Sequence, residues 1–263
     1  ADLGIRHLDY LLLTHIHLDH AGGTGQLMQH LPQAKLVVHP QGARHLIDPA
    51  KLTAGASAVY GEEKFVQDFG ELIPVAAQRV MEAPDGLVLD LNGRKLRCLD
   101  TPGHARHHLC LWDEQSRGFF TGDTFGLCYR EFRCGGHPWL MATTTPVAFD
   151  PERWLASVQH LLALQPESVC LTHYGRLQHP ANLAPQLVES IELHRDLAEH
   201  VMQRVALDQA VQGANPNLLD LLRLLLRSDI VPGAEQLKPP IGRGCRQLQV
   251  IADPMHLTVV VDE

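Results

Sequence analysis

The sequence predicts an α+β fold, two mixed β-sheets with helices on the outside. Three observations lead there. Short β-like runs alternate with amphipathic helical stretches along most of the 263 residues. Some neighbouring runs are joined as hairpins, most clearly in "LVLDLNGRKLRCLD", where Asn92-Gly93 is a two-residue turn. Four of the runs lead straight into a His or Asp, as functional loops gathered along one sheet rim would.

Residues 1–4 read as the last turn of a helix stopped by Gly4, so the sequence is expected to begin inside a domain. Residues 8–14 are a short apolar run bounded by polar ones, a buried strand. After Gly22-Gly23, residues 24–31 read as a helix ended by Pro32, and 35–39 ("KLVVH") as a second strand. Residues 41–80 are Ala-rich and predict two or three helical pieces broken at Pro49, Gly61 and Pro74. The hairpin strands are 87–91 and 94–100. A second pair, 109–112 and 118–121, is joined by the polar turn "DEQSR". Residues 151–164 form a helix, with Asp150 as N-cap and Pro151 at the first position. Residues 169–172 are a strand, 183–210 a long helix and 218–226 a further amphipathic one. A β-like run at 257–261 has no assigned place.

The totals narrow the function. A composition of 45% hydrophobic and 20% charged residues is that of a soluble globular protein. The longest apolar run, near Leu221–Leu226, contains Arg223 and is too short to span a bilayer. The net charge of −8 argues against a nucleic-acid partner, which would call for a basic face. Six cysteines without a CxxC pair read as thiols of a cytoplasmic protein. Seventeen histidines make metal chemistry the first possibility to examine.

The chemistry concentrates in "LLLTHIHLDHAGG", residues 11–23. In an extended segment alternate side chains share a face, so His15 and His17 point the same way. Asp19 and His20 follow once the chain turns and address a neighbouring point. A polar loop with Asp19 as a helix N-cap is the plainer alternative. One corner cannot complete two coordination shells, so distant partners are required. His104 in "LDTPGHARHH", Asp123 in "FFTGDTFG" and His173 in "VCLTHYG" each follow a β-like run. Singly, each also reads as an ordinary turn or cap residue.

Taken together, these residues resemble the metallo-β-lactamase-fold hydrolases. The match lies in THxHxDHxGG (His15, His17, Asp19, His20) and in His104, Asp123 and His173, and runs from residue 1 to about 180. "TPGHARHH" and "FFTGDTF" look most like the glyoxalase II and lactonase branches. The resemblance implies an αββα sandwich: two mixed sheets packed face to face, helices outside, and extra C-terminal helices. It implies a catalytic domain over 1–180, short of the family's first strands, and a helical extension over 181–263 packed on it. It also implies that His15, His17 and His104 hold one metal, that Asp19, His20 and His173 hold a second, and that Asp123 bridges them.

Imidazole and carboxylate donors without thiolate suit zinc, iron or manganese, with zinc first. The expected reaction is hydrolysis of an ester, thioester or lactone of a small acyl substrate by hydroxide held between two divalent metals. Asp19 or Asp123 would handle the proton, and the Tyr174 hydroxyl would reach the substrate oxygen. An iron-dependent sulfur dioxygenase-like oxidoreductase, a nuclease of the same superfamily and a metal-retaining sensor without catalysis are the alternatives. His108 reads equally as a residue orienting a ligand or as a plain strand histidine, and His39 as structural. Residues 124–145 are expected to wall the site, with Tyr129, Phe132 and Trp139 lining an apolar pocket. Cys128 and Cys134 there read as plain thiols. The stripe Leu187, Ile191, Leu197, Val201 and Val205 is core by default, or else a homodimer face.

Overall fold

In the computed structural model, which describes residues 7–133, 135, 137–143, 148–212, 248–253 and 256–261, the apolar run before the histidines becomes β1 (Tyr10–Leu12). It pairs in parallel with β2 (Lys35–Val38), which pairs in parallel with β3 (Val80–Glu82). The connections are helical, as parallel strands require. They are α1 (Leu18–Ala21) and α2 (Thr24–His30), then α3 (Pro40–Ile47), α4 (Ala50–Tyr60) and α5 (Glu62–Phe69).

The alternation in β2 places the core. Leu36 and Val38 pack with Leu13, Ile16, Ala21, Met28, Ala43 and Leu46 on the helical side. Val37 faces the other way, against Leu89, Cys98, Leu109 and Leu111 of a second sheet. A strand buried on both faces is a continuous apolar run, which is why "KLVV" lacks polar alternation.

The second sheet has six strands in the order β4 (Val88–Leu91), β5 (Arg94–Asp100), β6 (Leu109–Asp113), β7 (Gly118–Gly122), β8 (Ser168–Leu171) and β9 (Gly175–Gln178). Neighbours are antiparallel except β7 and β8, which are parallel and joined through α6 (Pro151–Ala163). Asp150 caps α6 by accepting the Arg153 amide at 3.1 Å, and the helix buries Trp154, Val158 and Leu161. The architecture is therefore α+β, with two sheets face to face and helices outside.

Several boundaries shift for physical reasons. The strand expected at 8–14 shortens to β1 because the chain crosses between sheets. The Leu13 amide still donates to Val37, while the Thr14 carbonyl accepts from Leu109 of the other sheet at 2.7 Å. Asn92 and Gly93 both have positive φ (54° and 93°), the backbone of a type I′ hairpin turn. Gly61, at φ 84°, separates α4 from α5 where a break was expected. Strands β3 and β9 were not foreseen. One is three residues long, and the other is "GRLQ", a mostly exposed strand at the sheet edge.

The chain divides into two compact units, one ending at Gly126 and resuming over Thr143–Asn182, the other comprising Leu127–Ala142 and the chain from Leu183. Both large sheets belong to the first unit. In the second, Leu127 and Met141 form an antiparallel bridge. The Leu140 and Ala142 amides donate to Gln186 and Ser190 of α7 (Pro180–Gln212). Leu187 and Ile191 are fully buried, whereas Leu197 is exposed. Tyr129, Phe132 and Trp139 gather into one aromatic group, with ring centroids 5.2 and 5.3 Å apart. The run at 257–261 finds its place as β11 (His256–Val261), antiparallel to β10 (Leu248–Asp253). Residues 1–4, Cys134, the helix expected at 218–226 and the side chain of Val205 lie outside the described residues. Among those described, no helix is long and apolar enough to cross a membrane.

One glycine locks α6 to the loop after β5. Gly103 has φ 138°, and a Cβ there would lie 2.3 Å from the Cα of Trp154. Gly103→Ala is therefore expected to destabilise the fold by about 2 kcal/mol or more through overpacking and backbone strain. Urea denaturation would show this as a lower midpoint with an unchanged slope.

Candidate metal centre

Strand direction delivers the ligand-type residues to one rim. Because β5 and β7 are each antiparallel to β6, they run parallel to each other, and β8 runs parallel to β7. The loops after β5, β7 and β8 therefore leave from the same edge, carrying His104, Asp123 and His173. His15 and His17 follow β1, and His17 is the N-cap of the short α1, which carries Asp19 and His20. All seven residues lie in the first unit, and the fold brings all seven together.

They form three overlapping groups, each with ligand atoms within 4.8 Å of one another: His15, His17 and His104; His15, His20 and Asp123; and Asp19, His20 and His173. In the first, His17 Nδ1 is 3.0 Å from His15 Nε2 and 2.9 Å from His104 Nε2. In the third, Asp19 Oδ2 is 3.2 Å from His20 Nε2 and 3.4 Å from His173 Nε2. Asp123 stands between them. Its Oδ2 is 3.5 Å from His104 Nε2, while its Oδ1 is 3.3 Å from His20 and 3.5 Å from His173.

The donors suit a metal ion. The other nitrogens of His15 and His104 face hydroxyls, Thr14 Oγ1 at 3.1 Å and Thr143 Oγ1 at 2.8 Å. With the proton held there, the Nε2 lone pairs are left to converge with His17 Nδ1, and three converging lone pairs need a cation. Buried His20 Nε2 and Asp123 Oδ1 have no hydrogen-bond partner within normal geometry, although each faces opposite chemistry. No cysteine is in any of the groups, so the donor set is imidazole and carboxylate alone.

Electrostatics divides the cluster. Burial, and then the neighbouring histidines His108, His20, His17 and His104, hold His15 far below the usual imidazole range. Burial brings His104 down to about 3, against the pull of Asp123, and lowers His17 as well. Burial also opposes charge on His20, but the facing carboxylates of Asp123 and Asp19 prevail and raise it to about 9. His173 is raised, chiefly by its hydrogen bond to Asp19. Burial works against ionisation of Asp19, yet His173 and His20 hold it well below the usual carboxylate range.

The remaining residues singled out from sequence fall as follows. His108 is buried, and burial keeps it neutral. His39 caps α3 by accepting the Gln41 amide and pairs with Asp100 at 3.1 Å, a structural role. Tyr174 follows His173 with φ 79°, an unusual backbone for an aromatic residue, and is exposed at the rim. Cys128 is a buried free thiol. Sequence reasoning missed the threonines. Thr14 and Thr124 adjoin ligand-type residues and offered a signal; Thr143, inside "ATTT", offered none.

The Metallo-beta-lactamase superfamily model matches residues 1–173. The chain belongs to that superfamily. It is 31% identical over 172 residues to the metallo-beta-lactamase fold-containing protein ST1585 of Sulfurisphaera tokodaii, an alignment covering 64% of this chain and 61% of that one. The crystal structure of ST1585 superposes with a TM-score of 0.58 at 30% identity, over 70% of this chain and 68% of that chain. An atrochrysone carboxyl ACP thioesterase of Aspergillus fumigatus is 29% identical over 127 residues, 47% of this chain and 30% of its own length. The metallo-beta-lactamase family protein TTHA1429 of Thermus thermophilus shares the fold, with a TM-score of 0.51 at 22% identity. The chain thus spans under two thirds of the full length of its curated relatives.

Two outcomes are expected. Thr143→Val removes the partner of His104 Nδ1 and should weaken metal binding about 10–100-fold, measured by competition with a chelator. Lowering the pH should empty the cluster in order. Metal at the Asp19, His20 and His173 group must displace protons below about pH 9, the level to which His20 is raised. His104 takes up no proton until about pH 3. Between pH 7 and 5 metal held by the Asp19 group should therefore be lost before any held by His15, His17 and His104, and elemental analysis after dialysis would follow it.

Proposed function

We propose that the chain is a metal-dependent hydrolase that holds two divalent cations and cleaves an ester, thioester or lactone of a small acyl substrate. One observation carries this reading. The two oxygens of Asp123 face different nitrogen sets, Oδ2 towards His104 and Oδ1 towards His20 and His173. A carboxylate so placed could serve a cation in either group. In this reading His15, His17 and His104 would hold one cation and Asp19, His20 and His173 the other, with Asp123 facing both groups. The imidazole and carboxylate donors suit zinc, iron or manganese.

Cations at these positions supply Lewis acidity, polarising the scissile carbonyl and making water a nucleophile near neutral pH. The chain does the rest. His15, His104 and Asp123 are buried and fix the geometry. The Asp19 side chain is 55% exposed, so its carboxylate is placed to take the proton released by water and return it to the leaving thiol or alcohol. Tyr174, on the same rim as His173, orients the acyl carbonyl. The water oxygen bonds to the acyl carbon as the acyl C–S or C–O bond breaks, giving an acid and a free thiol or alcohol, or a single hydroxy acid from a lactone. The relatives named as thioesterases support acyl transfer to water. Four described cysteines are free thiols, which supports a cytoplasmic setting.

The test is a panel of nitrophenyl esters, acyl thioesters and lactones, run on metal-loaded protein and on protein stripped by a chelator. Turnover of at least one class that disappears on stripping and returns with divalent metal is expected. Tyr174→Phe should lower kcat on that substrate about 10-fold or more while leaving metal content unchanged. Two bound metals with no turnover across the panel would overturn the hydrolase reading.

A further inference from the structure

Beside Asp123 and the imidazoles of the centre lies a further, fully buried histidine, His108, which is in none of the three ligand-type groups. His108 does not touch the carboxylate. It accepts the backbone N–H of Asp123 on Nε2 at 3.2 Å. That contact requires an unprotonated Nε2, so the ring proton sits on Nδ1, which faces Thr101 Oγ1 at 2.9 Å and Thr124 Oγ1 at 3.0 Å. Both threonines are held in turn. Thr124 Oγ1 donates to the Thr101 carbonyl at 3.3 Å, and Thr101 Oγ1 meets Cys110 Sγ, also at 3.3 Å. Cys110 Sγ then donates to the Thr121 carbonyl at 3.4 Å. Thr101, His108, Cys110, Thr121 and Thr124 have no exposed surface. The network therefore links the ends of β5, β6 and β7 out of reach of water.

The same ring serves the other half of the site. Its face lies against His15, with centroids 4.8 Å apart and planes 27° from parallel. The chain is shaped to admit it. Gly122 has φ 51°, and a Cβ there would sit 2.6 Å from His108 Nε2 and 2.7 Å from Thr14. The residue before Asp123 must therefore be glycine for His108 to reach the Asp123 amide.

We infer that His108 is the positioning residue of the centre: by holding the Asp123 amide and backing the His15 ring, it sets where the shared carboxylate stands between the two ligand groups. It touches neither substrate nor metal and acts through Asp123 and His15. The inference rests on the two-cation reading, and the test separates the two.

Cobalt(II) titration of the full chain, followed by visible absorption and by stoichiometry, reads the site without turnover. Wild-type protein is expected to take two ions. His108→Leu keeps the bulk but removes the acceptor and the donor. It should bind the second ion about 10–100-fold more weakly and shift the absorption bands. His108→Gln offers an amide oxygen to the Asp123 N–H and should restore the second ion and most of the wild-type spectrum. Circular dichroism checks the fold of each variant. If His108→Leu fails to fold, restoration by His108→Gln alone still supports the assignment. Wild-type affinity and spectrum in His108→Leu would overturn it, as would failure of His108→Gln to restore the second ion or failure of both variants to fold. A wild-type chain that takes a single cobalt would instead overturn the two-cation reading.

Discussion

The carboxylate of Asp123 is the constraint on which the rest depends. It is buried, it lies within 3.5 Å of His20, His104 and His173, and its Oδ1 has no hydrogen-bond donor in normal geometry. A buried carboxylate without compensation costs several kcal/mol. The surroundings are arranged so that positive charge can come to it. In the chain alone, His20 supplies that charge and is raised to about 9 by its two carboxylate neighbours. The site is thus built for a cation and uses a proton when it has only itself.

That requirement reaches into the fold. Asp123 sits at the end of β7, where Gly122 permits a tight turn and leaves room for His108. The parallel step from β7 to β8 through α6 puts His173 beside it. The short turn after β5 is pinned by Gly103 against Trp154, whose indole donates to the Thr124 carbonyl at 2.7 Å. Loops that would otherwise be mobile are held by buried hydroxyls and backbone contacts. Ligand-type residues placed this way keep their geometry because the strands and α6 hold it.

The two sheets and the seven-residue cluster were legible because they rest on local signals. "KLVVH" and "LNGRKL" carry their strand and turn chemistry within a few residues, and THxHxDHxGG carries its spacing. The extension of β1 to residue 14 failed because the chain crosses from one sheet to the other at Leu13 and Thr14, and no local pattern marks a crossing. Strands β3 and β9 are too short or too polar for periodicity to find. Thr143 acts on His104 across 39 residues, a contact set by tertiary packing alone. The network behind Asp123 is likewise non-local. His108 was visible as a histidine, but its partners Thr101 and Thr124 become partners only once β5 and β7 are side by side.

Burial is graded across the centre, and the gradient has chemical meaning. His15 and His104 are buried and held neutral, so the lone pairs of that group are preorganised and meet little proton competition. On the other side, His173 is 31% exposed and Asp19 55% exposed, and their pairing raises His173 and holds Asp19 down. The deep group is rigid because hydroxyls lock its rings. The outer group is the part of the centre open to solvent. The order of burial therefore leaves Asp19, His173 and Tyr174 on the open side of the centre, with His15, His104 and Asp123 buried beneath them.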